Sequence, residues 1–252
     1  MDSDKHNIDY KEISFGKKPL FIFVNHRVAL ICWSKIKETF GKCDILTFDS
    51  HRDFRDGFIF KLDPEETFGS KYNRYKHPHF TSCKEFISWD LLNYEQNVKF
   101  MKEGNTYVGL LNDNFIDVAF MKNIIGDVFW YYFNTENKTH KSKCDDIDGK
   151  DHDYIPNKIS KFNMPKNKFI LDMDLDFFVN NPGLSDCSML DANEIKKNLE
   201  VVKKAIGNQN CVGITIALEP GCCGGEGNSL KILKELFPEL TEENLKAAIE
   251  MI

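Results

Sequence analysis

The chain has 252 residues, of which 42% are hydrophobic and 13% aromatic, with a formal net charge of −6 and a pI near 5.7. This length fits one large domain or two small ones, and the apolar content is ample for a buried core. The acidic balance argues against a nucleic-acid partner, no run of about 18 apolar residues is present to span a membrane, and the polar start MDSDKHNIDYKE is unlike a secretory leader, so a cytoplasmic location is expected.

Residues 20–24 (LFIFV) read as a buried strand and residues 28–40 as a helix closed by Gly41. Residues 44–48 form the next strand. Residues 82–104 look helical, with Ser82 as N-cap and Glu85 completing a capping box. A strand over 106–111 is followed by a helix over 114–125 ended by Gly126, then by the aromatic strand 127–133 (DVFWYYF), whose rings read as core packing. Residues 168–175 are a strand, 191–206 a helix opened by Asp191, and 211–218 a strand; helical patterns over 229–237 and 241–252 finish the chain.

Six apolar strands alternating with helices predict a three-layer α/β/α fold, with a mostly parallel sheet covered on both faces and one or two further strands. There is no break in composition and no internal repeat, so residues 1–252 are expected to form a single domain. Residues 134–167 are too long for a plain connector; they form either a flap or a pair of irregular strands around Tyr154-Ile155. The run Asp145-Asp146-Ile147-Asp148 reads as solvated surface.

Eight cysteines occur without any C-x-x-C spacing, which points to reduced, mostly buried thiols rather than a zinc finger. For the adjacent pair Cys222-Cys223 two readings stand: redox control of a glycine-rich loop, or structural thiols, the simpler account.

In open α/β sheets, ligands bind beyond the carboxyl ends of the strands. The polar residues expected there are Asn25 and His26; Asp49, His51 and Asp53; Asn112, Asp113 and Asn114; Asp172, Asp174 and Asp176; and Glu219. Alternate residues of a strand share a face, so Asp49, His51 and Asp53 converge, as do Asp172, Asp174 and Asp176. Clustered, desolvated like charges repel unless a cation lies among them. Carboxylates with imidazole suit Mn²⁺, Mg²⁺ or Zn²⁺. The bland alternatives are a solvated Asp/His turn and an Asp capping a helix.

His26, then Asp49-x-His51-x-Asp53, then Asp174-x-Asp176, then a late Glu, resembles the arginase-like ureohydrolases in order and in strand-end placement. Asn25-His26 ahead of an apolar helix bearing Trp33, together with Asp172-Met173-Asp174-Leu175-Asp176-Phe177-Phe178, is similar to the arginase-like family that includes the peptide arginases. The similarity runs over roughly residues 20–225. It implies an arginase/deacetylase-like fold and a site for two divalent ions, two Mn²⁺. One would take His26, Asp49, Asp53 and Asp174; the other His51, Asp49, Asp174 and Asp176, with Asp49 and Asp174 bridging. In this alignment Asp172 falls where the family strand carries Ser.

The implied reaction converts arginine, or an arginine within a peptide, to ornithine and urea. Hydroxide from a water shared by the two cations attacks the guanidinium carbon. Asp53 would orient that hydroxide, and Glu219 would hold the guanidinium. The family's proton-shuttling His has two candidates, His77 and His79, whose other reading is an exposed loop. Asp113 and Asn114 would be substrate contacts or supporting groups, with helix capping the plainer account of Asn114. No segment matches the family's loop for the α-amino and α-carboxylate groups of free arginine, which favours a peptide substrate. Gly221 to Gly227 is expected to bring the backbone close to the metal site. Two alternatives stay open: a single-zinc, deacetylase-like amide hydrolase, and a catalytically silent metal-binding or interaction module.

Overall fold

The segments Cys43–Phe48, Phe169–Asp174 and Cys211–Ala217 are buried at every position, which only a sheet covered on both faces allows. The computed structural model describes residues 10–50, 59–61, 74–75, 106–108, 115–121, 123–132, 142–145, 151–158, 162–241, 243–244 and 250. In chain order its strands are β1 (Tyr10–Phe15), β2 (Lys18–Phe23), β3 (Cys43–Phe48), β4 (Ile59–Lys61), β5 (Arg74–Tyr75), β6 (Thr106–Val108), β7 (Ile125–Tyr132), β8 (Ser142–Asp145), β9 (Asp151–Lys158), β10 (Phe169–Asp174), β11 (Val179–Asn180), β12 (Ser188–Met189) and β13 (Cys211–Ala217). The helices are α1 (Ala29–Phe40), α2 (Phe115–Met121), α3 (Ala192–Ile206) and α4 (Glu226–Leu236).

Eight strands form the main sheet in the order β1-β2-β13-β10-β3-β7-β9-β8. The six inner strands are parallel, and the edge strands β1 and β8 pair antiparallel to their neighbours. Helices α1 and α2 pack on one face against Phe21, Phe23, Ile45 and Ile170. Helices α3 and α4 pack on the other against Leu20, Ile22, Leu46 and Leu171. Neighbouring residues of one strand thus feed opposite cores, and the architecture is the three-layer α/β/α sandwich that the pattern predicts.

Local chemistry explains the helices. On α1, Ala29, Cys32, Trp33 and Ile36 are all buried, the i, i+3, i+4, i+7 stripe of a helix facing a core. Helix α3 opens as expected on Asp191, whose Oδ1 accepts from the backbone N–H of Asn193 (2.8 Å) and Glu194 (3.0 Å).

Four expectations change. Strand β6 belongs to a separate three-stranded antiparallel sheet, β5-β4-β6, and not to the main parallel sheet. Helix α2 stops at Met121: Asn123 adopts φ 52° and donates to Phe120 O at 2.8 Å, turning the chain into β7. Gly126 therefore lies within a strand, where a Cβ would overlap Asp44 Oδ1, and glycine answers a close approach rather than a helix end. Helix α4 starts at Glu226, three residues before the expected Ser229. Of the two readings for residues 134–167, paired strands are present: β8 with β9, and β9 alongside β7. Strand β1 is an additional edge strand.

Connectivity locates the crevice. From β3 the chain steps outward through β7 to β9, then returns to β10 on the other side of β3 and steps away to β13. The reversal falls between β3 and β10, the place where open α/β sheets bind ligands at the carboxyl ends. Among the described residues no helix is long and apolar enough to cross a membrane.

Candidate metal centre

His26 opens a 3-10 turn, His26–Val28, between β2 and α1, capped by the Asn25 side chain accepting from Arg27 N. Its ring is fully buried and packs on Phe115 with centroids 4.8 Å apart. Nε2 lies 2.8 Å from Asp172 Oδ2. Nδ1 faces the other way, 3.3 Å from Asp49 Oδ2 and 3.4 Å from Asp174 Oδ2. All three acids are at most 2% exposed.

Asp172 is the rear support of this ring. Thr47 and Thr215 are its cross-strand partners on β3 and β13, and both hydroxyls donate to it, at 2.9 and 2.6 Å. Trp33 Nε1 of α1 donates in turn to Thr215 Oγ1 at 3.2 Å. A polar row therefore crosses three buried strands, its donors satisfying the Asp172 side chain. Asp172 accepts from Nε2–H and turns the Nδ1 edge towards Asp49 and Asp174, the arrangement in which a carboxylate fixes the tautomer of a ligating histidine.

Asp49 follows β3 directly. Its backbone is clamped by β7, with its N–H donating to Tyr131 O (3.0 Å) and its carbonyl accepting from Trp130 Nε1 (3.1 Å). Asp174 ends β10 and caps the 3-10 turn Leu175–Phe178 by accepting from Asp176 N at 3.0 Å. That turn corrects one expectation: strand alternation stops at Asp174, and Asp176 reaches the site through the cap. Ser50 binds Asp176 twice, N–H to Oδ1 at 3.2 Å and Oγ to the carbonyl at 3.1 Å, joining the β3 and β10 loops.

Glu219 lies just beyond β13 with φ 32°, a left-handed backbone rare outside glycine. Its N–H donates to Val24 O and its carbonyl accepts from Cys222 N and Cys223 N. Its Oε1 accepts from His26 N at 3.0 Å, so the loop after β13 and the histidine turn are directly joined. A strained backbone held by so many partners marks a position where the side chain must point one way.

The charge balance is lopsided. Burial lowers the His26 pKa, but Asp172, Asp174 and Asp49 outweigh it and hold the imidazole well above its usual value. Burial, then Asp176 and Glu219, push the Asp174 carboxyl well above the ordinary range. Both shifts express excess buried negative charge, which takes up protons or a cation. Donor atoms of His26, Asp49 and Asp174 lie within 4.8 Å of one another. Donors sharing one cation at bonds of ~2.0–2.2 Å stand roughly 3–3.5 Å apart, which matches the 3.3 and 3.4 Å separations from Nδ1. The donor set fits a hard or borderline divalent ion.

A second group, Asp176, Glu219 and Cys222, also brings its donor atoms within 4.8 Å of one another. The two neighbouring cysteines thus part company. Cys223 is buried, with Sγ donating to Leu218 O at 3.3 Å. Cys222 is half-buried beside Glu219, and burial together with the Glu219 charge pushes its thiol pKa far up. The glycine loop carries Cys222 to this group, and its Gly224 (φ 75°) and Gly225 (φ 114°) take the left-handed backbone that leads into α4.

Of the residues singled out in the sequence, His26, Asp49, Asp174, Asp176 and Glu219 meet here. His51, Asp53, His77, His79, Asp113 and Asn114 lie outside the described residues. Sequence reasoning missed Thr47, Thr215 and Cys222. A threonine at one matching position in each of two apolar strands was a signal, readable only once the register was known.

No protein-family model and no curated protein sequence matches the chain. Several solved structures are similar to it, among them the three that follow. Proclavaminate amidino hydrolase from Streptomyces clavuligerus shares 12% identity at a TM-score of 0.47, over 92% of this chain and 64% of that one. A protein described as an agmatinase from Clostridium difficile shares 17% at 0.47, over 88% and 67%. Formimidoylglutamase from Bacillus subtilis subsp. subtilis str. 168 shares 12% at 0.44, over 86% and 59%. The chain thus spans about two thirds or less of the length of the structures it matches.

Proposed function

We propose that the chain is a hydrolase that holds two divalent ions and cleaves a guanidino group, in arginine or an arginyl peptide, to give urea. One observation carries this reading: His26 turns Nδ1 towards Asp49 and Asp174 while Asp172 holds Nε2. That is how a buried histidine is set to share a cation with two carboxylates. The order of the motifs, which resembles the ureohydrolases, supplies the reaction class.

His26, Asp49 and Asp174 would hold one ion. Asp49, Asp174 and Asp176 would contribute to the other, with His51 and Asp53 completing the pair. Bound there, the ions supply an acidified water at neutral pH and charge stabilisation for a poorly electrophilic carbon. The rest falls to the chain. His26 would give up its Nδ1 proton on binding an ion and keep its Nε2 proton, directed at Asp172. Glu219 pairs with the guanidinium in a charge-assisted contact, its direction fixed by the His26 N–H and by its own constrained backbone. The buried walls, Phe115 among them, limit the water that could compete.

Metal analysis of the purified protein, followed by assays of urea release from arginine and arginyl peptides, tests the reading. Two ions per chain with urea release are expected. One ion, with release of acetate from an acetyl-lysine peptide and no urea, would replace it with amide hydrolysis. Glu219→Gln should retain both ions and raise KM for the guanidino substrate; wild-type kinetics in that variant would remove Glu219 from its role.

A further inference from the structure

Asp176, Glu219 and Cys222 make up the Cys222 side of the site, a donor group distinct from His26, Asp49 and Asp174, and one of the three is a thiol. Cys222 is not there by slack in the loop. Its N–H donates to Glu219 O at 2.9 Å, and its carbonyl accepts from Gly183 N and from Cys187 Sγ, both at 3.2 Å. Its Sγ lies 3.9 Å from where a Cβ on Gly183 would stand, so the β11–β12 loop borders it. The adjacent thiol, Cys223, faces the core instead.

We propose that Cys222 is a metal ligand: with Asp176, and with the Glu219 carboxylate beside them, it gives the cation position on this side a thiolate donor that favours thiophilic divalent ions over Mn²⁺. The inference rests on the metal reading above and deepens it. An all-oxygen or oxygen–imidazole site has little basis for preferring zinc or cobalt to manganese beyond the general affinity order. A thiolate adds a soft donor, which selects Zn²⁺ and comparable ions. Coordination costs the thiol its proton, which leaves to solvent as the ion arrives. Glu219, the proposed partner of the guanidinium, has its donor atom within 4.8 Å of that of Cys222, so the thiol would also border the space where substrate lies.

Cobalt titration of the metal-stripped full-length chain tests this without recourse to turnover, since a thiolate bound to Co²⁺ gives a near-ultraviolet charge-transfer band. Wild-type protein and a Cys187→Ser control should show the band. Cys222→Ser should lose it while keeping cobalt on the His26 side, and its preference for Zn²⁺ over Mn²⁺ should fall by roughly 10-fold or more, the lower end of what a lost supporting group costs. Cobalt uptake without a band, or a band that survives in Cys222→Ser, would overturn this inference and leave the metal reading intact. No cobalt uptake by wild-type protein would overturn both.

Discussion

The two ends of β3 each bury an aspartate, and they do so for opposite reasons. At the amino end, the Asp44 carboxylate accepts from Asp127 N at 3.0 Å and Asn167 Nδ2 at 3.2 Å, donors from two neighbouring segments. At the carboxyl end, Asp49 meets His26 and, across it, Asp174, with Asp176 beyond. Among the described residues, neutral donors meet the first, whereas like charge and the His26 imidazole meet the second. Burial of a carboxylate is therefore no sign of a functional site. The sign is the company it keeps, because neutral donors tie a segment down whereas facing acids hold room for a cation.

Substitutions can break or sharpen that contrast. The largest effect is expected from Asp174→Ala, which should abolish metal uptake and any urea release; full uptake by elemental analysis would refute the site. Asp172→Asn removes a charge but leaves much of the shape. Because Asp172 supports His26 without facing the cation, metal affinity should fall by about 10–100-fold rather than vanish. Equilibrium dialysis reads the difference, and complete loss would make Asp172 a ligand. Asp44→Ala at the other end should leave metal stoichiometry unchanged and cost about 1–3 kcal/mol of stability for stranded donors, seen as a lower urea midpoint. Gly126→Ala should cost a similar ~1–3 kcal/mol through overlap with Asp44 Oδ1. The double variant should cost less than the sum, since Asp44→Ala removes the atom that the methyl group added at Gly126 would strike; simple additivity would show that the overlap is relieved elsewhere.

How much of this could be read in advance depends on the range of the interaction. Short apolar runs disclosed most of the parallel sheet, because strands buried on both faces have few polar positions to confuse them. Strand β1 escaped because its faces are only half-buried and its sequence, YKEISF, is mostly polar. Strand β6 looked the same as its parallel counterparts, since periodicity says nothing of pairing direction. The candidate ligands His26, Asp49 and Asp174 stood out because strand ends can be located locally. Asp176 was assigned the right neighbourhood for an incomplete reason: a 3-10 cap carries it there, not the strand pleat. The row Thr47–Asp172–Thr215 depends on register among three strands far apart in sequence, which no local window contains. Cys222 was folded into one description with Cys223, although a turn sends adjacent side chains to different surroundings.

The indole hydrogen bonds have a practical consequence. The chain has three tryptophans. Trp33 reaches Asp172 through one threonine hydroxyl, and Trp130 donates directly to the Asp49 carbonyl. Two of the three chromophores are thus wired to the floor of the cation site, one from each flank. Charge arriving there alters the field at both rings without any movement of the backbone. Intrinsic emission is therefore expected to follow metal uptake at the candidate site in real time, with no label attached.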